Sequence, residues 1–225
     1  MSTSRVALGL LILASLAACE RHDRSVATPA TSPAAAPATK GGMPLAEALA
    51  RRRSVRDFLA RPLTEQQLAQ LAWAAQGITE PGRGFRTAPS AGALYPIELY
   101  LVTADGVARY LPRTNAFEQL DAGDKRQALA RAALNQTWVA QAPATFVVAA
   151  VHERTMQKYG QRGVRYATIE VGHVCQNLCL QAVALGLGSV SVGAFQDAEI
   201  RKIIGAPNDH RPLCLVCVGH PRVAP

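Results

Sequence analysis

The sequence predicts one folded domain of mixed helices and strands, at positions 44–225 of a 225-residue chain. Apolar residues alternate along residues 97–103, and a second alternating run at 107–111 predicts a β-hairpin. Residues 166–185 are apolar nearly all round, which predicts a helix lying in the core. A chain with 49% apolar and 18% charged residues can bury one sizeable core of this kind.

The first 43 residues are predicted to lie outside this domain. Residues 1–18 contain an apolar run too short to span a bilayer, and the small residues before Cys19 resemble the lipobox of bacterial lipoproteins. This pattern predicts cleavage before Cys19 and lipidation of its thiol; an ordinary secretory signal with an incidental cysteine is the alternative. Residues 19–43, rich in Ala, Pro, Thr and Ser, are expected to form a disordered tether.

These features together predict where the protein works. The mature chain is expected to be exported and held by its lipid anchor on the periplasmic side of a bacterial envelope. Glu20 follows the cysteine where an aspartate would signal inner-membrane retention, so the outer membrane is favoured.

The remaining elements of the domain follow from capping and periodicity. Pro44 suits the first turn of a helix, and the sequence Thr-Glu-Gln-Gln at 64–67 is a capping box that opens a second helix, ended by Gly77. The other predicted elements are a helix at 124–134, a buried strand at 145–151, a strand at 189–195, a helix at 197–204 and a last strand at 213–218.

A cluster of hydrogen-bond donors at residues 51–58, the arginine segment, follows the first helix. Its donors are Arg51, Arg52, Arg53, Ser54 and Arg56. Guanidinium and hydroxyl groups at this spacing can surround a phosphate-sized anion. The alternative is a basic helix end whose cations complement the helix dipole and face solvent, and the cluster alone favours that alternative.

Two glycine-containing turns could bring bare backbone close to a ligand. Residues 78–92 are rich in glycine and lead into the sequence Pro-Ser-Ala-Gly-Ala at 89–93, which could equally be a surface connection. Gly193 lies where a predicted strand turns into a helix, a place where backbone amides can face a ligand.

Four cysteines of the domain could indicate a metal or redox site. Cys175 and Cys179 are one helical turn apart, and Cys214 and Cys217 form a C-x-x-C sequence. Residues three apart in a strand face opposite sides, so small buried side chains are the favoured interpretation and no metal site is predicted. His173 of the same apolar helix is expected to be a hydrogen-bonded core histidine.

Charge and missing motifs narrow the function classes. A formal charge of +8 suits nucleic acid, anionic lipid or a phosphorylated ligand. Export, together with the lack of a basic motif interleaved with aromatic residues, argues against nucleic acid. The sequence has no paired carboxylates, nucleophile elbow or Walker loop, which points to chemistry performed by a bound cofactor.

Five blocks, taken in order, resemble the FMN-dependent nitroreductase superfamily, and most closely its SagB/ThcOx-type dehydrogenase branch. The blocks are R-R-S-V-R-D-F, P-S-A-G-A-L-Y-P-I-E-L-Y, G-H-V-C-Q-N-L-C-L-Q-A-V-A-L-G-L-G, S-V-G-A-F and V-G-H-P, between residues 44 and 222. The resemblance implies an α+β nitroreductase-like fold, with a mixed, mainly antiparallel sheet flanked by helices. It also implies a homodimer with FMN bound at the subunit interface. For the arginine segment, the resemblance favours the anion-binding interpretation over the basic helix end.

The resemblance assigns roles within the arginine segment. Arg52 and Ser54 match the positions that hold the FMN phosphate and ribityl chain, and Arg53 lines the same pocket. Arg56 matches the cationic position beside N1 and the C2 carbonyl of the flavin, where positive charge stabilises the reduced ring. Many family members continue after the last strand into an arm with phosphate-binding basic residues, and here Arg222 is expected to be the only candidate for that role.

Further residues match by the same resemblance. Gly193 and Ala194 match the turn whose amides meet flavin N5 and O4. Lys158 and Tyr159 match a lysine-tyrosine pair that moves protons in the azoline-oxidising branch, although such a pair on a surface helix also occurs by chance. A loop reaching over from the partner subunit, with Ala93 where the family usually has asparagine, is matched by Pro89, Ser90, Ala91, Gly92 and Ala93.

The sequence therefore predicts an FMN-dependent oxidoreductase that transfers a hydride through flavin N5 and acts on a small-molecule or peptide substrate. NAD(P)H is a cytoplasmic reductant, so an exported member is expected to reduce its flavin by oxidising its own substrate. This favours a dehydrogenase over a nitroreductase. The alternatives are a non-catalytic flavin-binding or ligand-binding lipoprotein, and a thiol redox lipoprotein that uses Cys214 and Cys217.

Overall fold

A computed structural model of the chain describes residues 30–40 and 42–223. The predicted signal peptide at 1–18, the lipidation site Cys19 and the start of the predicted tether lie outside the described residues. Within the described part, no helix has the length and apolar character needed to cross a membrane.

A seven-stranded sheet forms the centre of the fold. Its strands are β1 (Thr31–Pro33), β4 (Ile97–Thr103), β5 (Gly106–Leu111), β6 (Ala116–Ala122), β7 (Ala144–Val151), β8 (Gly188–Val192) and β9 (His210–Gly219). Their order is β1-β6-β5-β4-β7-β9-β8, and each neighbouring pair is antiparallel. A separate hairpin is formed by β2 (Ile78–Glu80) and β3 (Phe85–Arg86), within the glycine-rich region where the sequence predicted only a loop.

Helices cover both faces of the sheet. They are α1 (Leu45–Arg51), α2 (Glu65–Gln76), α3 (Arg126–Ala132), α4 (Thr137–Gln141), α5 (His152–Tyr159), α6 (Arg162–Ala184) and α7 (Asp197–Ile203). One core joins α2 and α6 to one face of the sheet, and a second joins α3, α4 and α7 to the other face. The predicted α+β class and the predicted sheet flanked by helices are confirmed.

The central strand β7 shows why this arrangement is stable. All of its residues are buried, with Phe146 and Val148 in one core and Val147 and Ala149 in the other. Burying a large apolar side chain stabilises a fold by about 1.5–3 kcal/mol, so this strand holds the two layers together. The prediction of a strand buried on both faces at 145–151 is confirmed.

Local signals located the helix ends well. The Gln67 amide donates to Thr64 Oγ1 at 3.2 Å and the Thr64 amide donates to Gln67 Oε1 at 2.9 Å, so the predicted capping box is present. The helix ends at Gly77, where an added Cβ would lie only 2.1 Å from the Trp73 ring. The helix predicted at 124–134 is shorter, because α3 ends at Ala132 and α4 follows separately.

The prediction of a disordered tether is wrong for part of residues 19–43. Thr31–Pro33 pair with β6, and the Ala34 amide donates to the Asn115 carbonyl at 2.8 Å. Backbone hydrogen bonds to an open sheet edge order a segment that has few apolar side chains to bury. Strand β6, the partner of this segment, was not predicted from the sequence, and without it no pairing of residues 31–33 could be expected.

The cysteines behave as small core side chains, as predicted. Cys175, Cys179 and Cys217 are buried, Cys214 is half-buried, and all four are free thiols. Cys217 lies in the core on one face of the sheet, whereas Cys214 packs against the core on the other face. The C-x-x-C thiols therefore point apart, which argues against the thiol redox alternative. The expectation for His173 is wrong, because this side chain is exposed on α6.

Candidate active site

The arginine segment extends the edge of the sheet beside β8. Ser54 and Ser189 form a parallel bridge, and the Val55 amide donates to the Ser189 carbonyl at 2.9 Å. Gly188 makes this close approach possible, because an added Cβ would lie 2.8 Å from the Val55 side chain. Further along, the Leu59 amide donates to the His220 carbonyl at 2.9 Å. The backbone of the segment is thus fixed to the sheet.

The side chains of the segment divide into two groups. Arg53 Nη1 donates to the carbonyls of Ala50 at 2.9 Å and Arg52 at 2.8 Å, so Arg53 binds the end of α1 instead of reaching outwards. Arg51 pairs with Glu47 of the same helix at 2.6 Å. The second group consists of half-buried Arg52 with exposed Ser54 and Arg56, which lie along the outer side of the segment.

Arg222 is held next to the same segment. Its guanidinium lies 3.0 Å from Asp57 Oδ1, and its amide donates to the Asp57 carbonyl at 3.1 Å. Both side chains are more than half exposed, so this ion pair contributes little to stability. The predicted basic residue after the last strand therefore lies at the Asp57 end of the arginine segment.

The predicted glycine turn lies at the other end of β8. Gly193 and Ala194 are exposed, and an added Cβ on Gly193 would meet no atom within 4 Å, so space is open in front of this backbone. Gln136 Nε2 donates to the Ala194 carbonyl at 2.9 Å and orients the turn. Trp138 follows Gln136 by two residues, and the centre of its ring lies 5.5 Å from the Arg56 guanidinium. Gln136 and Trp138 therefore connect the turn to the arginine segment.

The structure thus brings the two predicted flavin-contacting segments to the same strand. The arginine segment follows one side of β8 from Ser189, and the turn follows the strand end at Val192. Exposed guanidinium, hydroxyl and amide donors beside open space fit an elongated anionic ligand with a polar ring, such as FMN. Gln136 and Trp138 could not be predicted from the sequence, because α4, which Gln136 precedes, is too short to show an apolar period.

The loop at residues 89–93, the Ser90 loop, has an unusual backbone. Gly92 has φ +63°, and the non-glycine residues Ala93 and Tyr95 have φ +54° and +47°. Left-handed conformations at non-glycine residues cost on the order of 1 kcal/mol or more and persist where surrounding contacts hold them. Here the Tyr95 amide donates to Ser90 Oγ at 2.9 Å.

The predicted catalytic pair lies directly against this loop. A Cβ added at Gly92 would lie 2.7 Å from Tyr159 Oη and 3.2 Å from Lys158 Nζ. The Tyr159 ring packs edge-on against Tyr166 of α6, with ring centres 5.1 Å apart. Helix α5 thus places both side chains at the loop that the family resemblance assigns to the flavin of the partner subunit.

The structure adds a buried acid that the sequence analysis missed. Glu170 of α6 is 2% exposed, and neither of its carboxyl oxygens makes a hydrogen bond of good geometry to a described residue. Burial raises the pKa of Glu170 to about 7, although nearby Ser90, Arg86 and Gln76 each act to lower it. Glu170, Ser90, Tyr166 and His173 are among the residues around a cavity of about 290 Å³.

Glu170 lies close to the Ser90 loop, because Ser90 lines the same cavity and acts on the pKa of the acid. Its neighbour Gln76 is also buried, and the Gln76 amide nitrogen lacks a partner among the described residues while its oxygen accepts from Arg86 Nη1 at 2.6 Å. A buried acid that titrates near neutral pH beside candidate proton-transfer groups is a common property of active sites. One acidic residue inside an apolar helix was the only sequence signal for it.

Comparison with known proteins identifies the family. The model of the nitroreductase family matches residues 49–220. The chain belongs to the nitroreductase family. It is 45% identical over 181 residues to MJ1384 of Methanocaldococcus jannaschii, a candidate nitroreductase, covering 78% of this chain and 90% of that one. A solved structure of a candidate nitroreductase from Ralstonia eutropha superposes with a TM-score of 0.79 at 28% identity, covering 87% of this chain and 94% of the other.

Two further nitroreductase relatives have more specific names. The microcin B17-processing protein McbC of Escherichia coli is 30% identical over 135 residues, covering 55% of this chain and 49% of McbC. The NADPH-flavin oxidoreductase of Vibrio harveyi is 27% identical over 183 residues, covering 78% of this chain and 65% of that protein. Both the family and these relatives identify the chain as an oxidoreductase enzyme.

Proposed function

We propose that this nitroreductase-family enzyme binds FMN and dehydrogenates a small-molecule or peptide substrate, as a homodimer of the SagB/ThcOx type. The observation that carries the proposal is the meeting of the arginine segment and the Gly193 turn along β8. FMN, when bound, supplies a hydride acceptor at N5 and returns the electrons to a second substrate. The likeness to a flavin oxidoreductase supports the cofactor, and the likeness to McbC supports the branch.

The residues of the first segment have separate tasks in this proposal. Arg52 and Ser54 donate to the phosphate end, and Arg222 adds positive charge there. Arg56 would supply the positive charge that stabilises a reduced flavin, and its contact with Trp138, worth about 0.5–1 kcal/mol at an exposed site, holds the guanidinium in place. Arg53 acts indirectly, because it fixes the end of α1 from which the segment begins.

The Gly193 turn supplies the opposite side of the ring. The exposed backbone amides of Gly193 and Ala194 would donate hydrogen bonds to the flavin ring, and such donors stabilise negative charge on a reduced ring. The hydrogen bond from Gln136 Nε2 to the Ala194 carbonyl fixes the backbone of this turn.

Lys158 and Tyr159 handle protons. Removing a hydride from a substrate leaves a proton that a nearby base must accept. The Tyr159 oxygen, which lies beside Gly92 in the Ser90 loop, is proposed to accept this proton. Lys158 places an ammonium group at the same position and stabilises negative charge on the oxygen. The Ser90 loop, with these two side chains, is proposed to act on the flavin of the partner subunit.

The homodimer is supported by exposed apolar side chains on two adjacent helices. Leu45 and Leu49 of α1 are 65% and 52% exposed, and Ile169 of α6 is 51% exposed. Large apolar side chains left open on packed helices commonly mark an interaction surface. A second copy of the chain would bury them and would bring its own Ser90 loop to the flavin.

We further propose that the enzyme is exported and anchored at Cys19, on the periplasmic side of the outer membrane. The support is the lipobox-like sequence before Cys19. Labelling cells with a palmitate analogue should mark the wild-type chain and leave Cys19→Ser unlabelled. Equal labelling of both would contradict the anchor without touching the flavin proposal.

The absorbance spectrum of purified protein tests the central proposal. Protein incubated with FMN and desalted should keep flavin bands near one flavin per subunit, and chromatography of the released flavin should give FMN. A colourless protein that takes up no FMN would refute the proposal. Reduction with dithionite then separates an enzyme from a non-catalytic flavin binder, because only the enzyme is reoxidised repeatedly by a substrate acceptor.

A further inference from the structure

A second cavity, on the other side of the Ser90 loop, has a strongly cationic lining. Its volume is about 600 Å³, and its charged residues are Arg86, Arg109, Arg113 and Arg154 with the single carboxylate Glu98. Tyr95 and Tyr110 add aromatic walls. None of these arginines belongs to the proposed FMN site.

Three of the four guanidinium groups are fixed by the protein. Arg154 binds the Glu98 carboxylate and the Tyr95 carbonyl, the latter at 3.1 Å. Arg109 pairs with Glu118 at 2.7 Å. Arg86 donates to Gln76 and stacks on Tyr95, with its Cζ 4.5 Å from the ring centre. A guanidinium has more N–H donors than these contacts use, so each group is held in place and can still bind an anion.

The charges around the cavity do not balance. Glu98 and Glu118 offset two of the four arginines, so net positive charge remains, and exposed Arg113 lies at the β5–β6 turn. Burial lowers the pKa of Arg86 despite the carboxylates Glu98 and Glu170 nearby. A partly desolvated cation without full compensation is stabilised by an anionic ligand.

The cavity adjoins the candidate proton-transfer pair. Arg154 lines the cavity and precedes Lys158 by four residues on α5, so the two share a helix face and lie about 6 Å apart along the axis. Ala93 and Leu94 also line the cavity, directly after Gly92, which contacts Lys158 and Tyr159. The cavity and the Lys158–Tyr159 pair therefore lie on adjoining parts of α5 and the Ser90 loop.

We propose that this cavity is the substrate's anion subsite: the substrate carries a carboxylate or phosphate group that binds among Arg86, Arg113 and Arg154 while its reacting end meets Lys158 and Tyr159. The inference rests on the proposed flavin enzyme and names the substrate class. Bidentate pairing with guanidinium groups suits both oxyanions, and the aromatic walls suit an organic body attached to them.

The first test measures anion binding to the FMN-loaded enzyme, in which the phosphate-binding residues near Arg52 are already occupied. Titration calorimetry with succinate and with inorganic phosphate should show binding, and the tighter of the two identifies the anionic group. Arg113→Gln removes a cation that has no ion pair among the described residues, so it strands no carboxylate. Loss of one charge-assisted contact should weaken binding about tenfold.

The matched control is Arg131→Gln, an exposed arginine on α3, which should bind both anions as the wild type does. Absence of binding, or equal weakening by Arg113→Gln and Arg131→Gln, would overturn the subsite. FMN uptake is read separately by absorbance. If the protein takes up no FMN, the proposed function fails, and succinate titration of the apoprotein still decides whether the cavity binds anions.

The second test asks whether the subsite serves the reaction. Dithionite-reduced enzyme is mixed with 4-nitrobenzoate or with uncharged 4-nitrobenzyl alcohol, each of which takes two electrons and two protons to give the nitroso compound and water. Arg113→Gln should raise the half-saturating concentration of 4-nitrobenzoate about tenfold with little change in the limiting rate, and should shift that of the alcohol far less. Equal shifts for both acceptors would show that the arginines do not select an anionic substrate.

Discussion

The arginine segment and the Ser90 loop are both proposed to meet a flavin, but they are held in opposite ways. Backbone hydrogen bonds fix the arginine segment to the sheet edge, and the side chains of Ser54 and Arg56 remain exposed. The Ser90 loop has left-handed backbone at Gly92 and Ala93, and beneath it lies the buried, incompletely paired carboxyl of Glu170.

This difference separates binding from chemistry. A backbone already fixed to the sheet loses little further entropy when an anion binds to its donors, so the arginine segment suits cofactor affinity. A strained loop over a buried acid is stable only because its surroundings hold it, and such features concentrate where reactions occur. Substitutions in the first region should therefore change cofactor affinity, and substitutions in the second should change rate and pH dependence.

The largest effect on rate is expected for Tyr159→Phe, because Tyr159 lies against the Ser90 loop at Gly92. Loss of the proton-transferring hydroxyl should slow reoxidation of the reduced enzyme by 4-nitrobenzoate by on the order of 10²–10⁴-fold, with FMN affinity unchanged. Stopped-flow absorbance measures the rate. Tyr166→Phe is the control, because its ring packs on Tyr159 and only its own hydroxyl is lost. Equal slowing by both variants would assign the effect to packing.

The next largest effect is expected for Arg52→Ala, in the first region. Removing a charge-assisted contact to the phosphate should weaken FMN binding by about 10–100-fold, measured by quenching of flavin fluorescence. Arg51→Ala provides the matched control, since its exposed ion pair with Glu47 contributes about 0–1 kcal/mol and does not face the site. If the two neighbouring variants bind FMN alike, the segment is an ordinary basic helix end.

The sequence allowed good prediction wherever local chemistry decides the structure. Short sequence patterns predict the capping box at Thr64, the hairpin of β4 and β5, and the buried strand β7. The pairing of the arginine segment with β8 does not follow from such patterns. The order of matching blocks implied that the two segments share a ligand, and the contacts Ser54–Ser189 and Gln136–Ala194 supply the geometry.

Tertiary contacts decided what the sequence analysis missed. Strand β6 carries charged and apolar residues in an order typical of a loop, and it forms because β5 pairs with it on one side and β1 on the other. Burial of Glu170 depends on α2 and the Ser90 loop closing over α6, which no period within the helix reveals. His173, one turn further, stays exposed on the same helix.

An effect of intermediate size is expected for Glu170→Gln, which should make the unfolding free energy depend less on pH than it does in the wild type. The folded-state pKa of Glu170 is raised from 4.5 to about 7, so the folded protein binds the extra proton between these values. Stability from this group is full below about pH 4.5 and falls as pH rises through 7. Between pH 5 and 8 the wild type should lose on the order of 2 kcal/mol of unfolding free energy more than Glu170→Gln does.

Urea unfolding at the two pH values measures this difference, and an exposed acid provides the control. Glu199→Gln on α7 removes a carboxyl that faces solvent, so its unfolding free energy should follow the wild type across the range. A parallel pH dependence for the wild type and Glu170→Gln would mean that Glu170 is ionised throughout. The second region would then lack the titrating group that distinguishes it from the first.

The smallest expected effect tests whether the Gly193 turn, which Gln136 orients, tunes the reduction potential of the flavin. Gln136→Leu removes the hydrogen bond to the Ala194 carbonyl and should cost about 1 kcal/mol of support for the turn. If the turn stabilises the reduced ring, the midpoint potential should fall by on the order of 20 mV, since about 30 mV corresponds to 1.4 kcal/mol for two electrons. Spectroelectrochemical titration measures the shift against Gln127→Leu, an exposed glutamine on α3. An unchanged potential with FMN still bound would mean that the Gly193 turn, like the arginine segment, serves affinity alone. The division between binding and chemistry would then be sharper.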